Sequence, residues 1–533
     1  MKFSKAARPL IMGQNGVVSS GHALASLAGV RVLHEGGNAV DAALAAAFVM
    51  SVVKPEASGP GGDLFALVYM KKTGKVEALN SSGPAPAKAT IDYFRDHGLK
   101  SIPQFGPLSI AVPGAVDGWL ELHKKYATKE LGRLMVDAIG IARAGFPVSQ
   151  DFAESISEFS PDFPWVDRCY RQPLGTPKPG KILAQKGLSD VLEKIARYGR
   201  DGLYTGEVAE KICATIKAEG GILSAEDLQA PVAHWGDPLS TTYRDTMVYE
   251  QPPVSQGFMV LEMLNIAEAW PFHEGKMSRA DMIHYQVAAK KLAFEDRIRY
   301  LEDPKFGDPK IHMLISKEYA AKRRQLVDEI LARSQTAAVN QSSDTTYLCA
   351  TDRDGNAISF IQSVFAPFGS RVIAGDTGVI MNNRLCSFGL DPAKANSLKP
   401  GKRPAHTLNT YMVLKGDDVF AVGGSPGADE QPQTNFQLIH ALVDLEMDPQ
   451  SAVEAPRWSH QPGTPPRDQL PEALRMEEGY DPATLDNLRK KGHKISLVDR
   501  WSFGSAKVIV RDRENSCWLG GADPRRVGYA LGY

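Results

Sequence analysis

The chain has 533 residues, 43% of them hydrophobic and 23% charged, enough for about three or four folding units or one large layered fold and far from the composition of a disordered protein. Lysine and arginine number 61 against 62 aspartates and glutamates, for a net charge of −1. That balance excludes a globally basic nucleic-acid binder, and no apolar run reaches the ~18–20 residues that span a bilayer.

The first segment, MKFSKAARPLIMGQNG, is basic but lacks an apolar core and a small-residue cleavage site, so an unexported, cytoplasmic chain is expected. GVVSSG (16–21) reads as a strand. Ala23, Leu27, Val30 and Leu33 fall near helical spacing, with Gly36-Gly37 as a stop. Asn38 can cap AVDAALAAAFVMSVV, which is apolar nearly all round and is expected to be buried. A glycine-rich turn from Pro55 to Asp63 leads into LFALVYM, a turn at KKTGK and a second strand, VEALNSSG. Residues 109–331 are mostly helical in pattern, interrupted by the extended PLSTTYRDTMVYEQPP, and MIHYQVAAKKLAFEDRIRYL predicts a long amphipathic helix. Residues 332–344 are small, polar and aperiodic, the pattern of an exposed linker. Then come the hairpin TTYLCATD–RDGN–AISFIQSVF, an extended GVIMNN, the strands HTLNTYMVLK and VFAVGG, a turn at SPGA and the helix NFQLIHALVDL. HKISLVD and AKVIVRD are expected as late strands before the closing GGADPRR. The five cysteines are scattered without a C-x-x-C pair, and the histidines show no H-x-x-x-H spacing, so neither a disulfide framework nor a metal site is expected. Gly59 to Gly62 lacks the G-K-[ST] ending of a phosphate loop.

Several segments, taken in order, resemble the γ-glutamyltransferase family of N-terminal-nucleophile hydrolases. They are GGNAVDAA (36–43), APAKAT (85–90), VPGAVDGW (112–119), PPVSQG (252–257), DGNAIS (354–359), FGSRVIAGDTGVIMNN (368–383), GKRP (401–404), GGSPGA (423–428) and DPR (523–525). The resemblance implies an α+β fold, a four-layer αββα sandwich. It also implies a precursor that cuts itself between Asp344 and Thr345 into chains 1–344, mostly helical with sheet strands near 16–82, and 345–533. These are expected to stay together as an αβ heterodimer, with a dimer of heterodimers left open. Counting back from Asp354-Gly355-Asn356 places the family's nucleophile at Thr345, with Thr346 one residue out of register. A threonine hydroxyl needs a base, and a freed α-amine, ordinarily titrating at about 7.7–8.0, can serve on the same residue. By the same resemblance Ser363 stands where a threonine hydrogen-bonds the nucleophile. The resemblance further implies that the N–H groups of Gly427 and Ala428, where the family has two glycines, hold the oxyanion.

The departures bear on substrate. The family's α-carboxylate arginine aligns with Ser82, its α-amine aspartate with Ser387, an asparagine near the nucleophile with Phe365, and a serine pair with His406 and Thr407. A site built for ion pairs rejects partners that leave those pairs unmade. Arg384 stands where transferases have glutamine and offers a fork for a carboxylate, or else forms a structural salt bridge; Arg371 is a second candidate. The expectation is an amidohydrolase without cofactor or metal, acting on a small carboxylate-bearing amide, oxamate being the sharpest case. The alternatives are a γ-glutamyltransferase or glutathione hydrolase, a related acylase, and a catalytically inactive binding protein.

Overall fold

The computed structural model describes the chain except residues 4–5, 162–168, 171, 274, 333–336, 339–343, 462–468 and 471. Two seven-stranded antiparallel sheets are built from β1 (Ile11–Gly13), β2 (Gly16–Ser20), β3 (Asp63–Met70), β4 (Lys75–Ser81), β5 (His234–Gly236), β6 (Leu239–Tyr243), β7 (Thr246–Glu250), β8 (Asp344–Asp352), β9 (Ala357–Phe365), β10 (Tyr411–Lys415), β11 (Asp418–Gly424), β12 (Lys507–Asp512), β13 (Cys517–Ala522) and β14 (Tyr529–Gly532). The first runs β14–β2–β8–β9–β3–β4–β5 and the second β1–β13–β12–β11–β10–β7–β6.

Side-chain alternation sets the layers. Along β3, Leu64, Ala66 and Val68 join one apolar cluster, while Phe65, Leu67 and Tyr69 join another, and all six are buried. A strand with two apolar faces needs cover on both. The outer face of the first sheet meets α1 (Ala23–His34) and α2 (Ala39–Val53). The inner face meets the second sheet through Tyr347, Cys349, Met412, Val422, Ile509 and Trp518. The second sheet's outer face carries α3 (Phe258–Ala267), α4 (Arg279–Tyr300) and α5 (Gln431–Val443). The result is the αββα sandwich.

Local chemistry explains the elements. Asn38 Oδ1 accepts from the N–H groups of Val40 (2.8 Å) and Asp41 (3.0 Å), and Asp41 Oδ2 accepts from Asn38 N–H (2.9 Å). This capping box starts a helix whose every residue is buried. The long helix α4 departs from the amphipathic reading: it buries Lys290, Lys291, Asp296 and Arg297. Its second face is covered by Trp458, Leu474 and Met476 of a small separate sheet, to which the HKISLVD strand also belongs. GVIMNN is a loop with one isolated bridge, Ile373 to Ile380, because Asn382 bonds to the backbone of Gly61 and Ala111 instead. The strand expected from His406 begins only at Tyr411. Most of the 332–344 linker lies outside the described residues; Ala337–Ala338 within it pairs with Gln469–Leu470. The closing DPR motif is structural, with Asp523 pairing Arg457 at 2.6 Å and Arg525 at 3.0 Å. Among the described residues no helix is long and apolar enough to cross a membrane.

The sheets approach closely where β11 ends. A Cβ on Gly424 would lie 2.6 Å from the Tyr347 ring across the sandwich. Gly424→Ala is therefore expected to lower unfolding stability by about 1–3 kcal/mol, read as a lower urea midpoint with unchanged slope.

Candidate active site

Three neighbouring strands of the first sheet end together. Thr345 is the second residue of β8, Ser363 lies near the end of β9, and Asp63, paired in register with Ser363, opens β3. By alternation Thr345 shares the face of Tyr347 and Cys349, Ser363 that of Ile361, and Asp63 that of Phe65. All three therefore point between the sheets at one end of the sandwich. The ladder slips there. Asp344 pairs with Phe365 and Thr346 with Gln362, so Thr345 alone faces Ser363 and Val364. This bulge brings the Thr345 and Ser363 hydroxyls to 3.0 Å, with Thr345 buried. Ser363 Oγ also accepts from Phe365 N–H at 2.8 Å, and Phe365 takes a φ of +83°. Thr346 instead donates its hydroxyl to the Gln362 carbonyl at 3.3 Å.

Asp63 organises the next shell. Arg384 Nε donates to its Oδ2 at 3.3 Å and His406 Nε2 at 3.1 Å, while Gly83 N–H reaches Oδ1 at 3.2 Å. Leu408 N–H donates to His406 Nδ1 at 3.2 Å, so the imidazole proton sits on Nε2, toward Asp63. Arg384 Nη1 donates to Thr407 Oγ1 at 3.2 Å, and its guanidinium lies 4.0 Å from the Phe365 ring centre. Asp63, Arg384 and His406 all have fully buried side chains. Among the described residues Arg384 Nη2 is buried without a hydrogen-bond partner. Burial pulls the guanidinium down to about 10 despite Asp63. Arg384 thus makes the salt bridge and leaves its Nη2 amino group, with two N–H donors, unpaired among the described residues.

The second sheet supplies the turn that follows β11. Gly427 has φ +134° and Ala428 φ +47°. Glycine enters that region freely and alanine does not. Neither residue's N–H donates to a backbone acceptor among the described residues. The turn is held from two sides. Gln256 Nε2 donates to the Ala428 carbonyl at 3.0 Å, and Ser505 N–H donates to Ser425 Oγ at 3.2 Å. Lys507, opposite Gly424 in the ladder, donates to Ser505 Oγ at 2.8 Å, and burial lowers its ammonium to about 7.

Of the residues singled out from sequence, Thr345, Ser363, Phe365, Arg384, His406 and Thr407 form one connected cluster, joined to Ala428 through Gln256. Ser82 is buried but turns its hydroxyl to Asn80 at 2.8 Å. Ser387 is half-buried, and its carbonyl accepts from Asn396 at 2.7 Å. Arg371 packs over Phe105, 3.3 Å from the ring centre. The side chain of Asp344 lies outside the described residues. Sequence reading missed Asp63, Gln256 and Lys507. A charge heading the apolar run LFALVYM was the one available signal for Asp63. Among the described residues no group of three His, Cys, Asp or Glu is placed for a metal.

The profile of the "Gamma-glutamyltranspeptidase" family matches residues 25–533. A "Glutathione hydrolase-like YwrD proenzyme" from Bacillus subtilis (strain 168) is 37% identical over 98% of this chain and 99% of its own length. An "Oxamate amidohydrolase proenzyme" from Klebsiella pneumoniae is 32% identical over 97% of this chain and 98% of its own. Among solved structures, a cephalosporin acylase from Bacillus halodurans superposes with a TM-score of 0.90 at 34% identity, covering 99% of this chain and 98% of that one.

The buried imidazoles make stability acid-sensitive. Burial, with Arg384 beside it, pushes His406 down to about 4; burial with Lys54 does the same for His22, and burial with Lys290 takes His460 to about 3. An unfolded chain protonates these rings below their ordinary 6.5, whereas the folded one keeps them neutral. Their contribution is present above that value and lost as the pH falls from 6.5 toward 4, by about 1.4 kcal/mol per pH unit for each ring. The urea midpoint should fall steadily from pH 7 to pH 5; a flat profile would contradict neutral burial of these rings.

Proposed function

Because the chain belongs to the gamma-glutamyltranspeptidase family of N-terminal-nucleophile hydrolases, we propose that it cuts itself between Asp344 and Thr345 and then hydrolyses a small carboxylate-bearing amide such as oxamate. Both curated relatives are named as proenzymes, and the bulge takes the Asp344–Thr345 bond out of the regular ladder. The products are chains 1–344 and 345–533. They remain together because β8, from the second, pairs with β2, from the first, while β9 pairs with β3.

In the mature enzyme the Thr345 α-amine takes the proton of its own hydroxyl, whose oxygen attacks the amide carbonyl. Ser363 orients that hydroxyl. The N–H groups of Gly427 and Ala428 receive the negative oxygen of the tetrahedral intermediate, each donor being worth ~10²–10³ in rate. Ammonia leaves with the returned proton, forming a Thr345 ester. Water then attacks the ester and releases the acid.

The observation that carries the substrate assignment is the unpaired Nη2 amino group of Arg384, buried against the ring of Phe365, whose N–H in turn donates to the Ser363 hydroxyl beside Thr345. It suits one carboxylate oxygen of a short acyl group. A second reading, glutathione hydrolysis, is favoured by the 37% identity to the YwrD protein. Ser82 and Ser387, which stand at the zwitterion-binding positions, weigh against it.

The test is a comparison of ammonia release from oxamate, glutamate release from glutathione, and cleavage of a glutaryl amide by the purified enzyme. Oxamate should lead in kcat/KM by about 10²-fold or more. Arg384→Lys, which keeps the charge on Asp63 but loses the Nη2 donors, should raise KM for oxamate about tenfold or more. Faster turnover of glutathione than of oxamate would overturn the assignment.

A further inference from the structure

The segment Pro252–Gly257 has no part in the chemistry above, yet it touches both halves of the site. Gln256 is fully buried. Its Nε2 donates to the Thr407 carbonyl at 2.7 Å and to the Ala428 carbonyl at 3.0 Å. The amide orientation is settled by chemistry, since the flipped form would place Oε1 against two carbonyl oxygens. The segment is also zipped to the acyl pocket, with His406 N–H donating to the Val254 carbonyl at 2.8 Å and Gln256 N–H to the His406 carbonyl at 3.1 Å. Thr407 in turn receives Arg384 Nη1 at 3.2 Å. One amide thus bridges the residue that contacts Arg384 and the alanine held at φ +47°. The other end of that amide, Oε1, is buried without a donor among the described residues. An unsatisfied buried acceptor is a cost that a methionine of similar volume would not carry, so packing alone does not account for glutamine there.

We propose that Gln256 is a positioning residue that couples the Arg384–Thr407 subsite to the oxyanion turn, so that a substrate carboxylate on Arg384 is converted into rate at Thr345. The proposal rests on the roles given above to Arg384, Gly427 and Ala428. When Arg384 draws on a carboxylate, any shift of Thr407 passes through the shared amide to the Ala428 peptide. Without the bridge, substrate still binds, but Ala428 is free to leave its strained conformation and the oxyanion donors lose aim.

The test uses the full chain carrying Gln256→Met, with Gln256→Asn in parallel, the latter one methylene too short to span both carbonyls. Two substrates are compared, oxamate and its neutral diamide oxamide, together with acylation by p-nitrophenyl acetate, which needs only the nucleophile and the turn. Both variants should lose ~10–100-fold in kcat with KM for oxamate within about threefold of wild type, less than deletion of a donor would cost. The preference for oxamate over oxamide should shrink in kcat, and p-nitrophenolate release should slow by a similar factor. Unchanged kcat, or a rise in KM alone, would make Gln256 an ordinary pocket residue and overturn the proposal. Failure of both variants to fold would do the same by making it purely structural. A wild type that is acylated by the ester but releases no ammonia from oxamate would sink the substrate assignment, leaving the ester readout to decide on Gln256.

Discussion

A carboxylate at the head of an apolar strand, with no exposure to water, has to be compensated from within the protein. Asp63 is that group, and the pocket is arranged around it. An uncompensated buried charge costs several kcal/mol, and compensation needs close partners with good geometry. Arg384 comes from the loop after GVIMNN, His406 from the loop before β10, and Gly83 from the end of β4; Asp63 draws them to one point. Because Asp63 pairs in register with Ser363, that point lies beside the hydroxyl pair at Thr345. The same ion pair limits what Arg384 offers. With Nε on Asp63 and Nη1 on Thr407, what remains for a ligand is chiefly the Nη2 amino group.

The position of the site follows from the layering. Apolar side chains fill most of the space between the sheets, with single hydroxyls such as Ser19 and Ser359 bonded across it, and the charged groups of the site gather where the sheets end. Gly424 lets the second sheet approach Tyr347, which brings the Ser425–Ala428 turn to the same end as Thr345. The turn is supported from behind by Gln256 and by the Lys507–Ser505–Ser425 chain. The Gly427 and Ala428 N–H groups are therefore set by the protein scaffold, the condition that the proposed oxyanion role requires. The strand order matters equally. A cut before Thr345 leaves β8 and β9 between β2 and β3, so separating the products would break both of those pairings, and also β14–β2, β13–β1 and β10–β7, leaving unpaired strand edges in both sheets.

Much of this was legible in the sequence, for physical reasons. The buried helix α2 declared itself by apolar residues on every face and by Asn38 as cap. The hairpins declared themselves by apolar runs on either side of the turns KKTG and RDGN. The cluster of Thr345, Ser363, Arg384, His406 and Thr407 followed from ordered motifs rather than from periodicity. What remained hidden depended on tertiary context. Alternation cannot tell a helix with one covered face from one with two, so α4 read as amphipathic although Lys290 and Lys291 are buried within it. GVIMNN has the composition of a strand, but the bonds of Asn382 to Gly61 and Ala111 hold it as a loop. Gln256 falls within the PPVSQG segment, but its contacts stayed hidden because they lie in two carbonyls distant along the chain.

The central claim is that Thr345 becomes an N-terminal nucleophile by self-cleavage, and intact mass spectrometry of the purified protein tests it most directly. Dividing 57.9 kDa in proportion to the two segments gives chains of about 37 and 21 kDa, the smaller beginning at Thr345. The account predicts these two masses for the wild type and for Thr346→Ala, and one uncut mass for Thr345→Ala. A wild-type protein that remains a single chain while hydrolysing its amide would contradict it, because no free α-amine would exist at Thr345.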